Sequence, residues 1–324
     1  REPFMCGIAG IYTKNDIGVP GLESRIKRMA SSIAHRGPDD EGFFIGKNIA
    51  LGHRRLSIID LSTGAQPIFN EDKTICIVYN GEVFNYLDLN KELAGKGHRF
   101  STNSDTETIL HAYEEWGEGF VDRLRGMFAF CIWDSNHEKA IIARDRLGIK
   151  PLFYAEYDGK FVFSSEIKAI ISDDGFKREM DKEALSSYFM FSYIPAPLTI
   201  YKDIRKLPPG HLLILEDGNV TIKQYWDLFF EPDRRKKEED FIAESMELLR
   251  ESVKMRLMSE VPLGAFLSGG VDSSTVVALM SNESKDKVNT FTIGFGGITG
   301  NFVDERKYAR LVAERSGPNP REYE

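Results

Sequence analysis

Cys6 is the residue of this sequence best placed to act as a nucleophile. It follows Met5 and opens the run Cys6-Gly7-Ile8 at the head of a predicted strand. If Met5 and the residues before it are removed, Cys6 carries a free α-amine with a pKa near ~8, which can act as general base toward its own thiol. An isolated cysteine is more often an ordinary buried side chain. A catalytic Cys6 therefore needs supporting residues.

Three further motifs supply polar groups that such a nucleophile would need. The run Asn80-Gly81-Glu82 directly follows a predicted strand; a carboxamide and a backbone N–H there can hold a developing oxyanion, although Asn-Gly is also typical of a β-turn. Arg55 can bind an α-carboxylate through its guanidinium fork, or it is an ordinary surface arginine. Asp105 can receive an α-ammonium or cap a helix. The residues alone leave these alternatives open.

A second constellation lies near the other end of the chain. The run Ser268-Gly269-Gly270-Val271-Asp272-Ser273-Ser274 separates an apolar strand from a helix, a position where backbone N–H groups and the helix dipole favour a phosphate. It lacks the Lys-Ser/Thr ending of a Walker A loop. Asp272 is placed to hold Mg²⁺ beside the phosphates, and a Gly-Gly turn with Asp272 as helix cap is the alternative.

Composition restricts the class of protein that must position these groups. The chain has 324 residues, 42% of them hydrophobic, which excludes global disorder. Its 42 Lys and Arg against 50 Asp and Glu give a net charge of −8, which argues against a general nucleic-acid binder. No apolar run is long enough to span a bilayer and the start lacks a signal-peptide stretch, so we expect a cytoplasmic protein without a membrane partner.

The elements change character along the chain. Up to about residue 230, short β-branched and aromatic runs alternate with amphipathic helices, which predicts an α+β domain. The mixed charge run of residues 233–240 marks a boundary. Beyond it, apolar residues at helical spacing predict a helix packed in a core, and the order strand, helix, strand, helix predicts a parallel α/β sheet. The helical stripe consists of Ile242, Met246, Leu249, Val253 and Leu257.

Seven motifs occur together in an order that resembles glutamine-hydrolysing asparagine synthetases. They are Cys6-Gly7-Ile8, His35-Arg36-Gly37-Pro38-Asp39, Arg55-Leu56-Ser57-Ile58, Asn80-Gly81-Glu82, Ser104-Asp105-Thr106-Glu107, Gly126-Met127-Phe128-Ala129-Phe130 and Arg144-Asp145-Arg146-Leu147-Gly148. The resemblance covers nearly the whole chain. It implies an N-terminal-nucleophile αββα sandwich followed by the start of an α/β ATP-pyrophosphatase domain.

The resemblance also implies domain limits. Residues 1–5 are expected to be a tag or propeptide remnant, residues 6–230 a glutaminase domain and residues 231–324 a partial synthetase domain. While residues 1–5 remain attached, the nitrogen of Cys6 is an amide without basicity, so the glutaminase is expected to be inactive.

For the glutaminase half, the resemblance implies that Cys6 attacks the glutamine side-chain amide, forming a thioester and releasing ammonia. Asn80 and the amide of Gly81 form the oxyanion hole in this interpretation, and the His35 motif orders the site. A Cys–His dyad is the rival that the sequence leaves open. The implied glutamine-binding residues are Arg55, Leu56, Ser57, Ile58, Ile59, Asn80, Gly81, Glu82 and Asp105.

For the second half, the Ser268 motif resembles the pyrophosphate-binding loop of ATP pyrophosphatases. The implied ATP-binding residues are Phe266, Leu267, Ser268, Gly269, Gly270, Asp272, Ser273, Ile293 and Gly294, with Mg²⁺ on Asp272. The implied reaction converts ATP, aspartate, glutamine and water into AMP, diphosphate, asparagine and glutamate through a β-aspartyl-AMP intermediate, and family habit predicts a homodimer.

Three other functions stay open at this point. A related amidotransferase would use a different carboxylate acceptor. A regulatory fragment would bind glutamine without synthesis. A stand-alone N-terminal-nucleophile hydrolase would leave the Ser268 motif without a purpose.

Overall fold

The structure is a computed structural model that describes residues 5–13, 18–57, 60, 63–294 and 304–324. The chain divides into two compact units, one ending at Phe229 and the other beginning at Phe230. Within the described residues, no helix has both the length and the apolar character needed to cross a membrane.

The first unit is built on two antiparallel six-stranded sheets. Its strands are β1 (Gly7–Thr13), β2 (Asp40–Ile45), β3 (Ile49–Arg55), β4 (Ile68–Phe69), β5 (Ile75–Val83), β6 (Gly126–Asp134), β7 (Lys139–Arg144), β8 (Phe153–Tyr157), β9 (Lys160–Ser164), β10 (Ile204–Lys206), β11 (His211–Glu216) and β12 (Asn219–Gln224). The first sheet has the order β10-β8-β9-β1-β3-β2, and the second has the order β12-β11-β7-β6-β5-β4. The strands that carry Cys6 and Asn80 thus belong to different sheets.

Helices cover the outer faces of both sheets. They are α1 (Val19–Ser32), α2 (Tyr86–Gly95), α3 (Asp105–Trp116), α4 (Ile167–Ile171) and α5 (Lys182–Phe191), with 3₁₀ turns at Ala34–Arg36 and Gly117–Arg123. α1 and α4 pack on the first sheet, and α3 packs on the second with α2 against it. The layers therefore follow the order helix, sheet, sheet, helix, and the predicted αββα sandwich is confirmed.

Strand β1 shows why the sequence folds into four layers. Its residues Ile8 and Tyr12 pack between the two sheets, whereas Ala9 and Ile11 pack under the helices. Because successive side chains of a strand point to opposite faces, a strand covered on both faces needs a nearly continuous apolar run. Cys76 and Cys131 belong to the core between the sheets.

The second unit contains a parallel three-stranded sheet in the order β13-β14-β15. Its elements are α6 (Glu238–Met255), β13 (Gly264–Phe266), α7 (Val271–Glu283), β14 (Asn289–Ile293), α8 (Arg306–Ser316) and β15 (Asn319–Tyr323). The predicted alternation of strand and helix is confirmed.

The prediction that the whole apolar stripe of α6 is core packing is wrong for its first half. Val253 and Leu257 pack against α7 and the sheet, but Ile242, Met246 and Leu249 are exposed. Periodicity identifies one face of a helix, and it carries no information about how far along that face the neighbouring elements extend.

Candidate functional site

One pocket of the first unit brings Cys6 together with most of the polar residues predicted to surround it. Cys6 directly precedes β1, and the antiparallel pairing of Gly7 with Arg54 places the end of β3 beside it. The lining residues are Met5, Cys6, Arg55, Leu56, Gly64, Gln66, Tyr79, Asn80, Gly81, Glu82, Ser104, Asp105, Thr106 and Lys150.

The Cys6 thiol is held by the backbone of Leu56. Sγ accepts a hydrogen bond from Leu56 N at 3.3 Å and donates to Leu56 O at 3.5 Å. Burial raises the pKa of this thiol, and the Leu56 hydrogen bond and the positive charges of Lys150 and Arg55 only partly oppose that effect. Because a thiolate is the reactive form of cysteine, the site needs a base or a stronger anion-stabilising environment.

The geometry gives no support to a Cys–His dyad. No histidine is among the described residues that line the pocket. The ring of His35 instead lies 2.9 Å from Glu166 Oε1. The neighbouring Arg36 donates from Nε to the carbonyl of Cys6 at 3.0 Å and from Nη1 to Glu166 at 3.1 Å. The His35 motif thus holds the backbone of Cys6 through Arg36.

Asn80 presents a donor that the protein itself does not use. The residue is 1% exposed, and its Nδ2 has no hydrogen-bond partner among the described residues. Buried polar groups are normally hydrogen-bonded, so an unpaired one in a pocket points to a missing ligand. At the next residue, Gly81, a Cβ would lie 2.3 Å from Met127 O, and only glycine fits. The Asn-Gly pair therefore lies within β5 and is not a turn.

Asp105 closes the pocket on the side of α3. Its Oδ2 accepts from Tyr79 Oη at 2.7 Å and from Val83 N at 2.8 Å, and burial raises the pKa of its carboxyl. Ser104 is the N-cap of α3, accepting from Thr106 N at 3.2 Å. The helix therefore begins with a dedicated cap, and the Asp105 carboxylate is directed to β5.

Two of the other predicted glutamine-binding residues line the pocket. The Nη2 of Arg55 donates to the carbonyl of Asp60 at 2.5 Å, which fixes a buried guanidinium at the pocket wall. Glu82 lines the same pocket. Ser57 is not among the lining residues and donates its N–H to Asp39 Oδ2 at 2.9 Å. Ile58 and Ile59 lie outside the described residues.

A buried hydrogen bond links the two sheets next to the pocket. His53 of β3 lies with Nε2 at 3.1 Å from the carbonyl oxygen of Tyr79 in β5. Burial lowers the pKa of His53 to about 3, so its ring is neutral and the Nε2–H donates.

Gln66, Tyr79 and Lys150 are the pocket residues with side-chain functional groups that our sequence analysis overlooked. Gln66 Oε1 accepts from Tyr79 N at 2.6 Å, and so ties a loop to β5. Lys150 follows Gly148, whose φ of +67° marks a tight turn directly after the last motif of the resemblance. That turn was the signal that could have identified Lys150.

The Ser268 loop of the second unit is shorter than predicted. α7 already begins at Val271, so Asp272 and Ser273 lie in its first turn and Gly270 is the N-cap. Ser268 Oγ lies 3.0 Å from Ser273 Oγ and accepts from Gly270 N at 3.3 Å. The two hydroxyls thus close the loop at the start of the helix, and Asp272 is exposed beside them.

The residues predicted to contact an adenosine differ in exposure. Phe266 and Ile293 expose apolar side chains at the carboxyl ends of parallel strands β13 and β14. The side chain of Leu267 is buried in the core with Val277, so its side chain is not available to a ligand. Gly294 N donates to Tyr323 O at 2.7 Å.

Comparison with known families decides the relationship. A model described as a glutamine amidotransferase domain matches residues 5–226. The chain belongs to this glutamine amidotransferase family. A second model, described as asparagine synthase, matches residues 244–324.

Several curated proteins resemble this amidotransferase chain in sequence. It is 40% identical over 90% of its length to asparagine synthetase [glutamine-hydrolyzing] 1 of Bacillus subtilis and 40% identical over 96% to a putative asparagine synthetase of Methanocaldococcus jannaschii. It is also 35% identical over 97% to amidase chry2 of Gibberella zeae. The chain spans 46%, 63% and 50% of these relatives, respectively.

Solved structures support the fold. The amidotransferase chain aligns over 98% of its length, and over 65% of the other chain, with glutamine phosphoribosylpyrophosphate amidotransferase of B. subtilis, with a TM-score of 0.51 and 19% identity.

Proposed function

We propose that the Cys6 pocket hydrolyses glutamine to glutamate and ammonia. One observation carries this proposal: a thiol, a buried carboxamide whose Nδ2 has no partner among the described residues, a buried guanidinium and a buried carboxylate line the same small pocket. A guanidinium fork suits an α-carboxylate and a carboxylate suits an α-ammonium. Arg55 and Asp105, with Glu82, would hold the two charges of an amino acid while its side chain extends toward Cys6.

The reaction follows from the donors around the thiol. Cys6 Sγ adds to the side-chain carbonyl carbon of glutamine, and the oxygen becomes an oxyanion that Asn80 Nδ2 and Gly81 N stabilise. The C–N bond then breaks with transfer of a proton to the leaving nitrogen, which gives a Cys6 thioester and ammonia. Water hydrolyses the thioester to glutamate and regenerates the thiol. Removal of residues 1–5 would provide the α-amine of Cys6 as the base that carries these protons.

Glutamate release from glutamine tests this proposal. The chain would be compared before and after its N-terminus is trimmed to Cys6, with intact mass as the record of the form present. We expect hydrolysis only from the trimmed form and none from Cys6→Ala. Cys76→Ala removes a core cysteine outside the pocket and should hydrolyse glutamine at a rate near that of the unsubstituted chain. Hydrolysis by Cys6→Ala at the unsubstituted rate would refute the mechanism.

We further propose that this chain provides the glutaminase domain and part of the synthetase domain of a glutamine-hydrolysing asparagine synthetase. The support is the succession of the two family matches and the 40% identity to two proteins with that name. The domain limits at 6–230 and 231–324, aspartate as acceptor, a cytoplasmic homodimer and ammonia transfer between domains belong to the same proposal.

The Ser268 loop would hold ATP in this proposal. Hydroxyl and carboxylate oxygens are ligands that Mg²⁺ prefers, and Ser268, Asp272 and Ser273 offer them at the start of α7. Bound Mg²⁺ would neutralise phosphate charge. Asp272 would orient the ion and the loop N–H groups would bind the β and γ phosphates, with Phe266 and Ile293 beside the adenosine.

Pyrophosphate release tests the acceptor. We expect release that requires both ATP and aspartate, and loss of that release in Asp272→Asn. A related amidotransferase with another carboxylate acceptor is the second candidate, since one similar relative is named an amidase. Release that ignores aspartate and responds to another carboxylate would favour it.

A further inference from the structure

Lys150 is a buried cation without a strong hydrogen-bond partner. It is 5% exposed, and among the described residues its ammonium makes one hydrogen bond, to Met5 Sδ at 3.1 Å, and no ion pair. A thioether is a weak acceptor, so this contact compensates little of the hydration that the ammonium loses on burial. A charge kept in such a place indicates that an anion completes its surroundings.

The fold fixes Lys150 at the pocket wall. The carboxylate of Asp145 accepts from the backbone N–H groups of Leu147, Ile149 and Lys150, at 3.2, 2.9 and 2.9 Å. The Nε of Arg144 donates to the Lys150 carbonyl at 2.9 Å. Both backbone groups of Lys150 are thus bound, and Asp145 is itself 1% exposed. The backbone that carries this side chain is therefore firmly positioned.

Glu82 and the thiolate form of Cys6 are the two anions that most favour the charged form of Lys150, and of these only the thiolate is a nucleophile. Cys6 and Lys150 line the same pocket, and the charge of Lys150 favours ionisation of the Cys6 thiol. Arg55 is the other cation of the pocket wall, but its guanidinium is already bound to the Asp60 carbonyl and is suited to the substrate carboxylate. Among the described residues, the charged groups around Cys6 are Arg36, Arg55, Glu82, Asp105 and Lys150; in the trimmed chain the α-amine of Cys6 itself is added to them.

We propose that the Lys150 ammonium stabilises the Cys6 thiolate and so maintains the reactive form of the nucleophile. This inference rests on the proposed function, because a thiolate matters only if Cys6 attacks glutamine. Lys150 acts through Cys6 and is therefore a positioning residue. If residues 1–5 are removed, its contact with Met5 is lost and the ammonium is released to the thiolate.

Alkylation of Cys6 by iodoacetamide as a function of pH tests the inference without any substrate. The rate would be read from the mass of the Cys6 peptide, because only the thiolate reacts. Cys76 and Cys131 would react slowly in the folded chain, since both are buried and burial raises their thiol pKa values, that of Cys76 to about 12. The slow reaction of these two cysteines also reports that each variant is folded.

The comparison uses a charge-removing variant, a charge-keeping variant and a matched control. A nearby opposite charge lowers an acidic pKa by about 1–3 units, and Lys150 acts on Cys6 in this direction, so we expect Lys150→Met to raise the apparent alkylation pKa by about one unit and to slow alkylation at pH 7.5 about tenfold. Lys150→Arg should stay within about threefold of the unsubstituted chain. Lys206→Met removes a half-buried lysine whose ammonium donates to the Ile194 carbonyl, away from the pocket, and should not change the profile.

A Lys150→Met profile that superimposes on that of the unsubstituted chain overturns the inference. If Lys150→Met loses its cooperative melting transition, Lys150→Gln replaces it, since glutamine removes the charge and keeps a donor. Glutamate release measured on the same preparations separates the two ideas. Absence of Cys6-dependent release from the unsubstituted trimmed chain refutes the proposed function, whereas the alkylation profiles alone decide the role of Lys150.

Discussion

Replacement of Asn80 by alanine separates catalysis from folding more sharply than any other substitution in the pocket. Removing one oxyanion donor typically lowers kcat by about 10²–10³-fold, or about 2.7–4 kcal/mol of transition-state stabilisation. Because Asn80 Nδ2 has no protein partner among the described residues, its removal breaks no hydrogen bond of the fold. We therefore expect Asn80→Ala to lose at least about a hundredfold in kcat and less than about 1 kcal/mol in the free energy of unfolding.

Asn70 offers the matched control. It is also buried, but its side chain donates to Glu114 at 2.8 Å and to Thr74 at 3.2 Å and accepts from Ile75 N at 2.9 Å. At about 1 kcal/mol for each hydrogen bond, Asn70→Ala should lose about 2–3 kcal/mol in the free energy of unfolding. It should keep kcat within about threefold of the unsubstituted value at a temperature where the variant is folded.

Glutamate release and urea denaturation followed by tryptophan fluorescence are the two assays. All three tryptophans, Trp116, Trp133 and Trp226, lie in the first unit, so the fluorescence reports on that unit. The reasoning is refuted if Asn80→Ala retains kcat within about threefold while the trimmed parent chain hydrolyses glutamine through Cys6. Equal loss of stability in both variants would also contradict it, since it would show that Asn80 carries structural hydrogen bonds.

Two further predictions concern pH and the Ser268 loop. Burial opposes both shifts, but His111 at 3.7 Å and hydrogen bonds from Ser101 and Thr102 lower the pKa of Glu107 from 4.5 to about 2. The carboxylates of Glu107 and Glu114 raise the pKa of His111 from 6.5 to about 9. Glu107 thus stabilises the fold above pH 4.5 and loses this effect toward pH 2, while His111 stabilises it below pH 6.5 and loses this effect toward pH 9. The urea midpoint should therefore fall as the pH drops toward 2 and as it rises toward 9. If His111→Gln keeps the same alkaline fall of the midpoint as the unsubstituted chain, the role given to His111 is wrong. Gly269→Ala should destabilise the second unit by about 1–3 kcal/mol, because Gly269 has a φ of +82° and a Cβ there would lie 2.5 Å from the Tyr308 backbone. Gly270→Ala is the control, because its Cβ would meet only one side-chain oxygen, at 3.5 Å. Limited proteolysis would compare the two variants, and equal rates would show that the close approach of Gly269 to Tyr308 does not matter.

Residues adjacent to predicted strands and caps could be located from the sequence. Cys6, Asn80 and Gly81 were placed by the strands they adjoin, and Asp105 by its position at the start of an apolar helix. These inferences depend on interactions between near neighbours in the chain. The αββα order itself rested on the resemblance, because periodicity alone does not tell which of two sheets a strand joins.

Residues brought to the pocket by long-range pairing could not be found in this way. The Cys6 thiol is held by Leu56, 50 positions away, and Lys150 reaches the same pocket from 144 positions beyond Cys6. The turn at Gly148 marks the position of Lys150 in the sequence, but the burial of its side chain depends on the long-range contacts that the fold makes around it. The exposed half of α6 was mispredicted for a related reason, because packing depends on which elements lie opposite.

The hydrogen bond from His53 to Tyr79 joins the two sheets beside the pocket, so the distance between the sheets affects the geometry of the site. In the proposed reaction, the residue directly before β1 of one sheet supplies the attacking sulfur and the other sheet supplies the oxyanion donors, so their spacing would be set by how the two layers pack and by the side chains between them. A methylene added or removed near Val78 or Phe163 in that shared core would change the alignment of reacting atoms without touching the pocket. If the proposed reaction is right, its rate would therefore depend on the packing inside the sandwich as well as on the residues of the pocket.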